Sequence, residues 1–124
     1  MAELTRKRRS LRFRQLPGLF AVCRLPAEIA LPKSGSPILS LTQTPNEISL
    51  VSSQDVAPEN GVVEKGWICF RLEGPFPFTA TGVLASFIGP LADAAIPIFA
   101  ISTFDTDYIL IKEELRQKAL DTLG

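Results

Sequence analysis

Residues 98–111 read IFAISTFDTDYILI, and the same pattern occurs sixty residues earlier in the chain. ILSLTQT at 38–44 aligns without gaps on IFAISTF at 98–104, and EISLV at 47–51 falls on DYILI at 107–111. Each copy consists of two short apolar runs separated by turn residues, which is the pattern of a β-hairpin. Self-similarity at a fixed spacing predicts two sister modules.

A first strand precedes each hairpin. FAVCRL at 20–25 matches WICFRL at 67–72, here with an offset of 47 residues, so the second copy has about thirteen more residues between its first and second strands. In the second copy these residues predict an amphipathic helix that Pro90 kinks. In the first copy only residues 26–31 remain for a helix.

Each copy is therefore interpreted as strand, connection, strand, turn, strand, helix. The last helix is predicted over 112–123, where acidic residues come first and basic residues later, as the helix dipole favours. A βαββα unit packs its helices on one face of an antiparallel sheet, which is the ferredoxin-like arrangement of the α+β class. A fourth strand is predicted at 61–63 for the first copy. None follows the last helix of the second copy, and this open edge predicts a homodimer.

The net charge of zero, from 13 basic and 13 acidic side chains, hides an asymmetry. Residues 1–15 carry six basic residues against Glu3, a net charge of +5, and the rest of the chain carries −5. We interpret residues 1–15 as a solvated, disordered arm. Nucleic-acid binding through this arm is an alternative, but it is disfavoured because Phe13 is the only aromatic residue among the charges.

Neither an export signal nor a membrane span is predicted. The apolar residues after the arm are too few and too interrupted for a secretory signal. Residues 83–101 approach the length of a membrane-spanning helix, but Pro90 and Pro97 divide them into two elements. The sequence therefore predicts a cytoplasmic protein that has no contact with a membrane.

The chain has no histidine and only two cysteines. This composition excludes histidine-based acid–base catalysis, histidine-ligated metals and a four-cysteine metal site. Cys23 and Cys69 are predicted to be buried thiols. Asp105 and Asp107 share one strand face, but no third ligand or nucleophile lies near them in sequence. We therefore predict a protein that is not an enzyme and has no catalytic residue, metal or cofactor.

Several stretches carry a resemblance to a known family. They are GW at 66–67, EGP at 73–75, TGVLAS at 81–86, IPIFAISTFDTDY at 96–108 and, in the first copy, T-x-TP-x-EISLV at 42–51. These stretches resemble the tandem ACT-domain proteins of bacteria, which are related to the ACT modules of animal arginine-sensing proteins and, more distantly, of aspartate kinases. The resemblance covers residues 15–123. It predicts a shortened ACT module at 16–64 and a second at 65–124.

The resemblance implies a regulatory fold that binds small ligands, typically amino acids, at interfaces between modules. It also implies that the start of the long helix and a Ser-Thr-x-x-x-Asp hairpin line the pocket. The matching positions in this chain are Thr81, Gly82, Val83, Leu84, Ser102, Thr103, Phe104 and Asp107. In the arginine sensors the hairpin aspartate contacts the ligand, and Asp107 matches it.

The chemistry of these residues suits an amino acid. Free N–H groups at a helix start, approached closely at Gly82, suit a carboxylate. Asp105 or Asp107 suits an ammonium group. Structural interpretations stay open, because Gly82 can serve a tight turn, Thr81 can cap the helix and Asp105 can serve the hairpin turn.

Two alternatives for the whole chain also stay open. The first is an oligomerisation module whose pocket is degenerate. The second is a nucleic-acid-associated regulator that uses the basic arm.

Overall fold

A computed structural model of the chain describes residues 11–26, 35–74 and 82–124. Its strands are β1 (Phe13–Gln15), β2 (Phe20–Leu25), β3 (Ser40–Gln43), β4 (Ile48–Ser53), β5 (Val62–Leu72), β6 (Phe99–Ser102) and β7 (Asp107–Lys112). Its helices are α1 (Val83–Asp93) and α2 (Arg116–Leu123), and 3-10 turns follow β4 and β7 at Gln54–Val56 and Glu113–Leu115. The sheet with its helices confirms the predicted α+β class.

The chain forms two compact units. The first unit is Leu16–Ile68, and the second joins the described part of Met1–Gln15 to Cys69–Gly124. Strand β5 contributes to both, because its residues up to Ile68 belong to the first unit and the rest to the second.

The first unit has the strand order β3-β4-β2-β5, and these neighbours pair antiparallel. Strand β5 begins at Val62, which confirms the fourth strand predicted at 61–63. Ala21, Cys23 and Leu50 are fully or almost fully buried and belong to one apolar cluster. Gly61 leads into β5, and a Cβ atom there would lie 2.2 Å from the carbonyl oxygen of Arg24.

The second unit has the strand order β6-β7-β5-β1, so the N-terminal strand β1 supplies the fourth strand. This corrects two predictions: residues 13–15 are not disordered, and β5 does not leave an open edge for a second chain. The physical reason is the half-buried Phe13, whose ring packs edge-on against Phe70 at 5.3 Å and Phe87 at 5.1 Å between centroids. Residues 1–10 of the predicted arm lie outside the described residues.

The two hairpins correspond with an offset of 59 residues, so the sequence alignment at sixty is wrong by one residue. Gln43 pairs with Ile48 at the end of the first hairpin, and Ser102 pairs with Asp107 at the end of the second. Strands β4 and β7 have the same burial pattern, with three consecutive buried residues in the middle. The preceding strands are too exposed for their apolar residues to fix the register. Asp107 therefore corresponds to Ile48.

Helix α1 ends in a Schellman motif with an alanine at its left-handed position. Ala95 has φ +60° and donates its N–H to the carbonyl of Ala92 at 2.9 Å, while Ile96 donates to Leu91 at 3.0 Å. Ile96 and Leu91 are both buried and complete the motif. Pro90 lies inside the helix, as the sequence predicts, and its kink stays a prediction.

Helix α2 confirms the predicted last helix and contacts α1. The helix predicted for the first copy extends over residues outside the described part of the chain. Cys23 and Cys69 are both buried, as predicted, and burial raises the pKa of Cys69 to about 12. Among the residues that the structure describes, no helix is long and apolar enough to cross a membrane.

Candidate functional site

The predicted site residues fall in two places in the second unit, the start of α1 and the β6–β7 hairpin. Thr81 lies outside the described residues. Gly82 is the residue before α1, with φ +75° and no atom within 4 Å of the place a Cβ would take. It is thus a left-handed glycine with open space beside it. Val83 and Leu84 are half-buried in the first turn.

The first turn of α1 presents backbone N–H groups that lie ahead of the hydrogen-bond ladder of the helix. The first backbone bond of the helix runs from the N–H of Ser86 to the carbonyl of Gly82 at 2.9 Å, and the Ser86 hydroxyl donates to the same carbonyl at 2.6 Å. The amides before Ser86 therefore precede the ladder of the helix. The first turn contains no acidic residue. This helix start can accept a carboxylate from a ligand.

The β6–β7 hairpin brings Ser102 and Asp107 together. They are cross-strand partners, and the Ser102 hydroxyl donates to Oδ1 of Asp107 at 2.5 Å. Thr103 instead closes the turn, because its N–H and its hydroxyl both donate to the carbonyl of Thr106, at 2.9 and 3.0 Å. Phe104 lies at the tip with 79% of its surface exposed. The hairpin thus offers an oriented carboxylate and an exposed ring.

Thr106, a turn residue without a distinctive sequence signal, fixes the position of this hairpin. Its side chain is buried, and its hydroxyl donates to the carbonyl of Leu72 at 2.8 Å. Leu72 is the last residue of β5, and from this end the chain continues toward α1. Thr106 therefore ties the hairpin to the carboxyl end of β5, whereas residues 75–81, which precede Gly82, lie outside the described residues. A buried threonine in a turn has no sequence signal that separates it from an ordinary turn residue.

A group of charged residues at the same end of β5 was also missed by sequence reasoning. Arg71 donates from Nε to the Tyr108 hydroxyl at 3.3 Å and lies 5.9 Å from the centre of that ring. Glu73 pairs with Arg71 at 3.5 Å and with Arg14 of β1 at 2.9 Å. The hydrogen bond to Tyr108 raises the pKa of Arg71, and the carboxylates of Glu73 and Asp105 add to this effect. The charge of Arg71 is therefore compensated within the unit.

Comparison with known proteins identifies the family. The family model of the ACT domain matches residues 62–124. The chain is 26% identical over 103 residues to cytosolic arginine sensor for mTORC1 subunit 1 of Bos taurus, a match that covers 74% of this chain and 31% of that protein. The chain spans less than two thirds of the length of the curated relatives it matches.

Two solved structures extend the comparison. Protein Atu0741 from Agrobacterium tumefaciens is 36% identical, with a TM-score of 0.82 over 91% of this chain and 86% of that one. The ligand-free regulatory subunit of aspartate kinase from Thermus thermophilus is 9% identical, with a TM-score of 0.61 over 90% of this chain and 95% of that one, and is alike in fold alone. Because the family model matches just over half of the chain, the chain belongs to the ACT-domain family.

Proposed function

We propose that this chain is a non-enzymatic regulatory module that binds an amino acid at the edge of the second unit. One observation carries the proposal: the second unit combines a helix start that has no acidic residue in its first turn with a hairpin aspartate that Ser102 orients. A carboxylate and an ammonium group on one small molecule complement these two features. The names of the relatives, an arginine sensor and a regulatory subunit of aspartate kinase, agree with such a role.

Each predicted residue has a part in this proposal. The amides at Gly82, Val83 and Leu84 bind the ligand carboxylate. Asp107 accepts the ammonium group, because an ionised carboxylate keeps acceptor sites free after one bond from Ser102. Thr103 maintains the turn and Phe104 covers the apolar part of the ligand, while the part predicted for Thr81 concerns a residue outside the described ones.

The organisation of the chain is part of the same proposal. We interpret residues 16–64 as a shortened ACT module and 65–124 as a second one. The equivalent strand orders support this, since in each unit the hairpin lies beside the first strand and a fourth strand lies on its other side. A cytoplasmic homodimer remains our expectation. Strand β1 occupies the edge of β5, so the dimer would form through another surface, and light scattering with and without ligand measures it.

The test is a thermal-shift screen of the full chain with the twenty amino acids. A ligand at about one hundred times its Kd adds about 2.7 kcal/mol to the free energy of unfolding, which raises Tm by roughly 10 °C. Asp107→Asn should weaken the responding amino acid about tenfold or more. Asp93→Asn, the same change at the other end of α1, is the control and should leave the response unchanged. A screen without any response would reject the proposal and favour the oligomerisation module.

A further inference from the structure

The two units carry equivalent arginines whose surroundings differ. Arg24 of β2 and Arg71 of β5 hold the same place in strands that match with an offset of 47 residues. Arg71 is compensated by Glu73 and Tyr108. Arg24 makes one hydrogen bond in the described structure, from Nη2 to the carbonyl of Asn46 at 3.4 Å. Its charge has no carboxylate partner among the described residues.

The sequence explains this difference. The position that corresponds to Glu73 is Pro26 in the first unit, and the position that corresponds to Tyr108 is Ser49. Proline has no charge, and the serine hydroxyl instead donates to Oε1 of Glu47 at 2.9 Å. The groups that compensate the arginine of the second unit are therefore replaced in the first.

A cavity of about 310 Å³ lies beside Arg24. It is lined by the end of β2 and by the hairpin from Gln43 to Ile48. These are the positions that correspond to the end of β5 and to Ser102–Asp107 in the second unit. Its volume is at the lower end of the range of about 300–1,000 Å³ for small-molecule sites, which suits a ligand of amino-acid size.

The turn beside the cavity is fixed by its own hydrogen bonds. Thr44 Oγ1 accepts the N–H groups of Asn46 and Glu47, each at 3.1 Å, and the Thr44 N–H donates to the carbonyl of Glu47 at 2.9 Å. These amides are engaged within the turn, so the guanidinium of Arg24 is the group that can meet an anion. The carboxylate of Glu47 gives the same cavity a negative side.

We propose that this cavity is a second binding site, for a small zwitterion with the chemistry of an amino acid. Arg24 binds its carboxylate and Glu47 its ammonium group. The carboxylate of Glu47 repels a simple anion, and the guanidinium of Arg24 repels a simple amine. A zwitterion pairs with both charges. The site uses neither α1 nor Asp107 and is independent of the function proposed for the second unit.

The experiment is a ¹⁵N NMR titration of the full chain with each of the twenty amino acids, with acetate and inorganic phosphate as comparisons. We expect at least one amino acid to shift the amides of Thr44, Asn46 and Glu47. Arg24→Gln and Glu47→Gln should each raise its Kd about tenfold or more. Arg12→Gln, at an exposed arginine of the second unit, is the control and should leave Kd unchanged.

The outcomes for the two sites are separable. Asp107→Asn should leave the shifts at Thr44–Glu47 intact, whereas binding at the second unit moves Thr103 and Thr106. Three results would overturn the second site: no shift at Thr44–Glu47 with any amino acid at about 10 mM, an Arg24→Gln affinity equal to wild type, or acetate or phosphate binding as tightly as the amino acids. The last result would identify a simple anion site without a role for Glu47.

Discussion

The two units share a backbone plan and differ in their charges. Each closes a hairpin with a threonine whose hydroxyl bonds within the turn, and each carries an arginine near the end of the adjoining strand. In the second unit Arg71 pairs with the carboxylate of Glu73, and the hairpin ends in Asp107. In the first unit Arg24 has no carboxylate partner among the described residues, and Ile48 takes the place of the aspartate. The repeat thus preserves the scaffold while the charged residues change.

The fourth strands provide a second contrast. The fourth strand of the first unit is β5, which follows its hairpin in the chain. The fourth strand of the second unit is β1, which precedes the first unit in the chain. Strand β1 has three residues, so its backbone bonds alone are few. Its position is maintained by the Phe13 ring, by the Arg14–Glu73 ion pair and by a bond from Arg116 Nε to Gln15 Oε1 at 2.8 Å. Side chains therefore secure this strand.

The largest effect is expected in the first unit, from Gly61→Ala. The new Cβ would lie 2.2 Å from the backbone oxygen of Arg24, and a backbone atom in a paired strand cannot move aside cheaply. We expect a loss of more than about 3 kcal/mol in the free energy of unfolding, measured by urea denaturation. Gly89→Ala is the control, because it lies inside α1 with open space; the helix preference of alanine and the crowding of its Cβ by the Pro90 ring oppose each other, so the change should be below about 1 kcal/mol. Equal midpoints for the two variants would refute the close approach.

The next effect tests strand β1, the fourth strand of the second unit. Phe13→Ala removes a ring that packs on Phe70 and Phe87, and should cost about 2–3 kcal/mol because the ring is half-buried. Phe104→Ala, at an exposed ring of the same unit, should change the free energy of unfolding by less than about 0.5 kcal/mol. If both variants unfold at the same urea concentration, β1 is not part of the packed unit.

Glu73→Gln leaves Arg71 without its carboxylate partner, as Arg24 is among the described residues of the first unit. It removes the carboxylate that pairs with Arg71 and Arg14, and since these groups are partly exposed the cost should be only about 0.5–1 kcal/mol. The cost should shrink at about 1 M salt because screening weakens exposed pairs. Glu59→Gln, at an exposed position of the first unit, is the control. A cost that is independent of salt would argue against an electrostatic cause.

The smallest effect is a gain. Ala95→Gly should add about 0.5 kcal/mol or slightly more, because glycine adopts φ +60° without the strain that a Cβ brings. The neighbouring change Ala94→Gly should instead destabilise, because Ala94 has φ −87° and gains nothing from the freedom of glycine. Thermal unfolding of both variants measures the difference. A destabilised Ala95→Gly would contradict the left-handed turn.

The fold class followed from the sequence because buried strands and the amphipathic helix leave strong apolar patterns. The strand β1 did not, since three residues beside a basic segment contain only Phe13 as a signal of packing. The hairpin register was wrong by one residue because β3 and β6 are too exposed for apolar periodicity to fix it. These misses share one cause, which is that partner contacts rather than local pattern determine the edges of a sheet.

The candidate site was predictable to a similar degree. Gly82, Ser102 and Asp107 follow from the family resemblance and the turn chemistry, and the structure adds that Ser102 and Asp107 bond to each other. Arg24 and Arg71 were not predicted, because an arginine within a strand is ordinarily a solvent-facing residue. Their roles emerge only from which acidic groups lie beside them, and that depends on pairing between distant parts of the chain.

Isothermal titration calorimetry of the full chain measures binding at the second unit when the ligand is an amino acid that shifts the amides of Thr103 and Thr106 and leaves those of Thr44–Glu47 unmoved. Wild type and Asp93→Asn should bind with the same Kd, and Asp107→Asn should bind that ligand about tenfold more weakly or worse. An Asp107→Asn protein that is folded and binds as tightly as wild type would contradict the assignment of Asp107, and with it the proposed site.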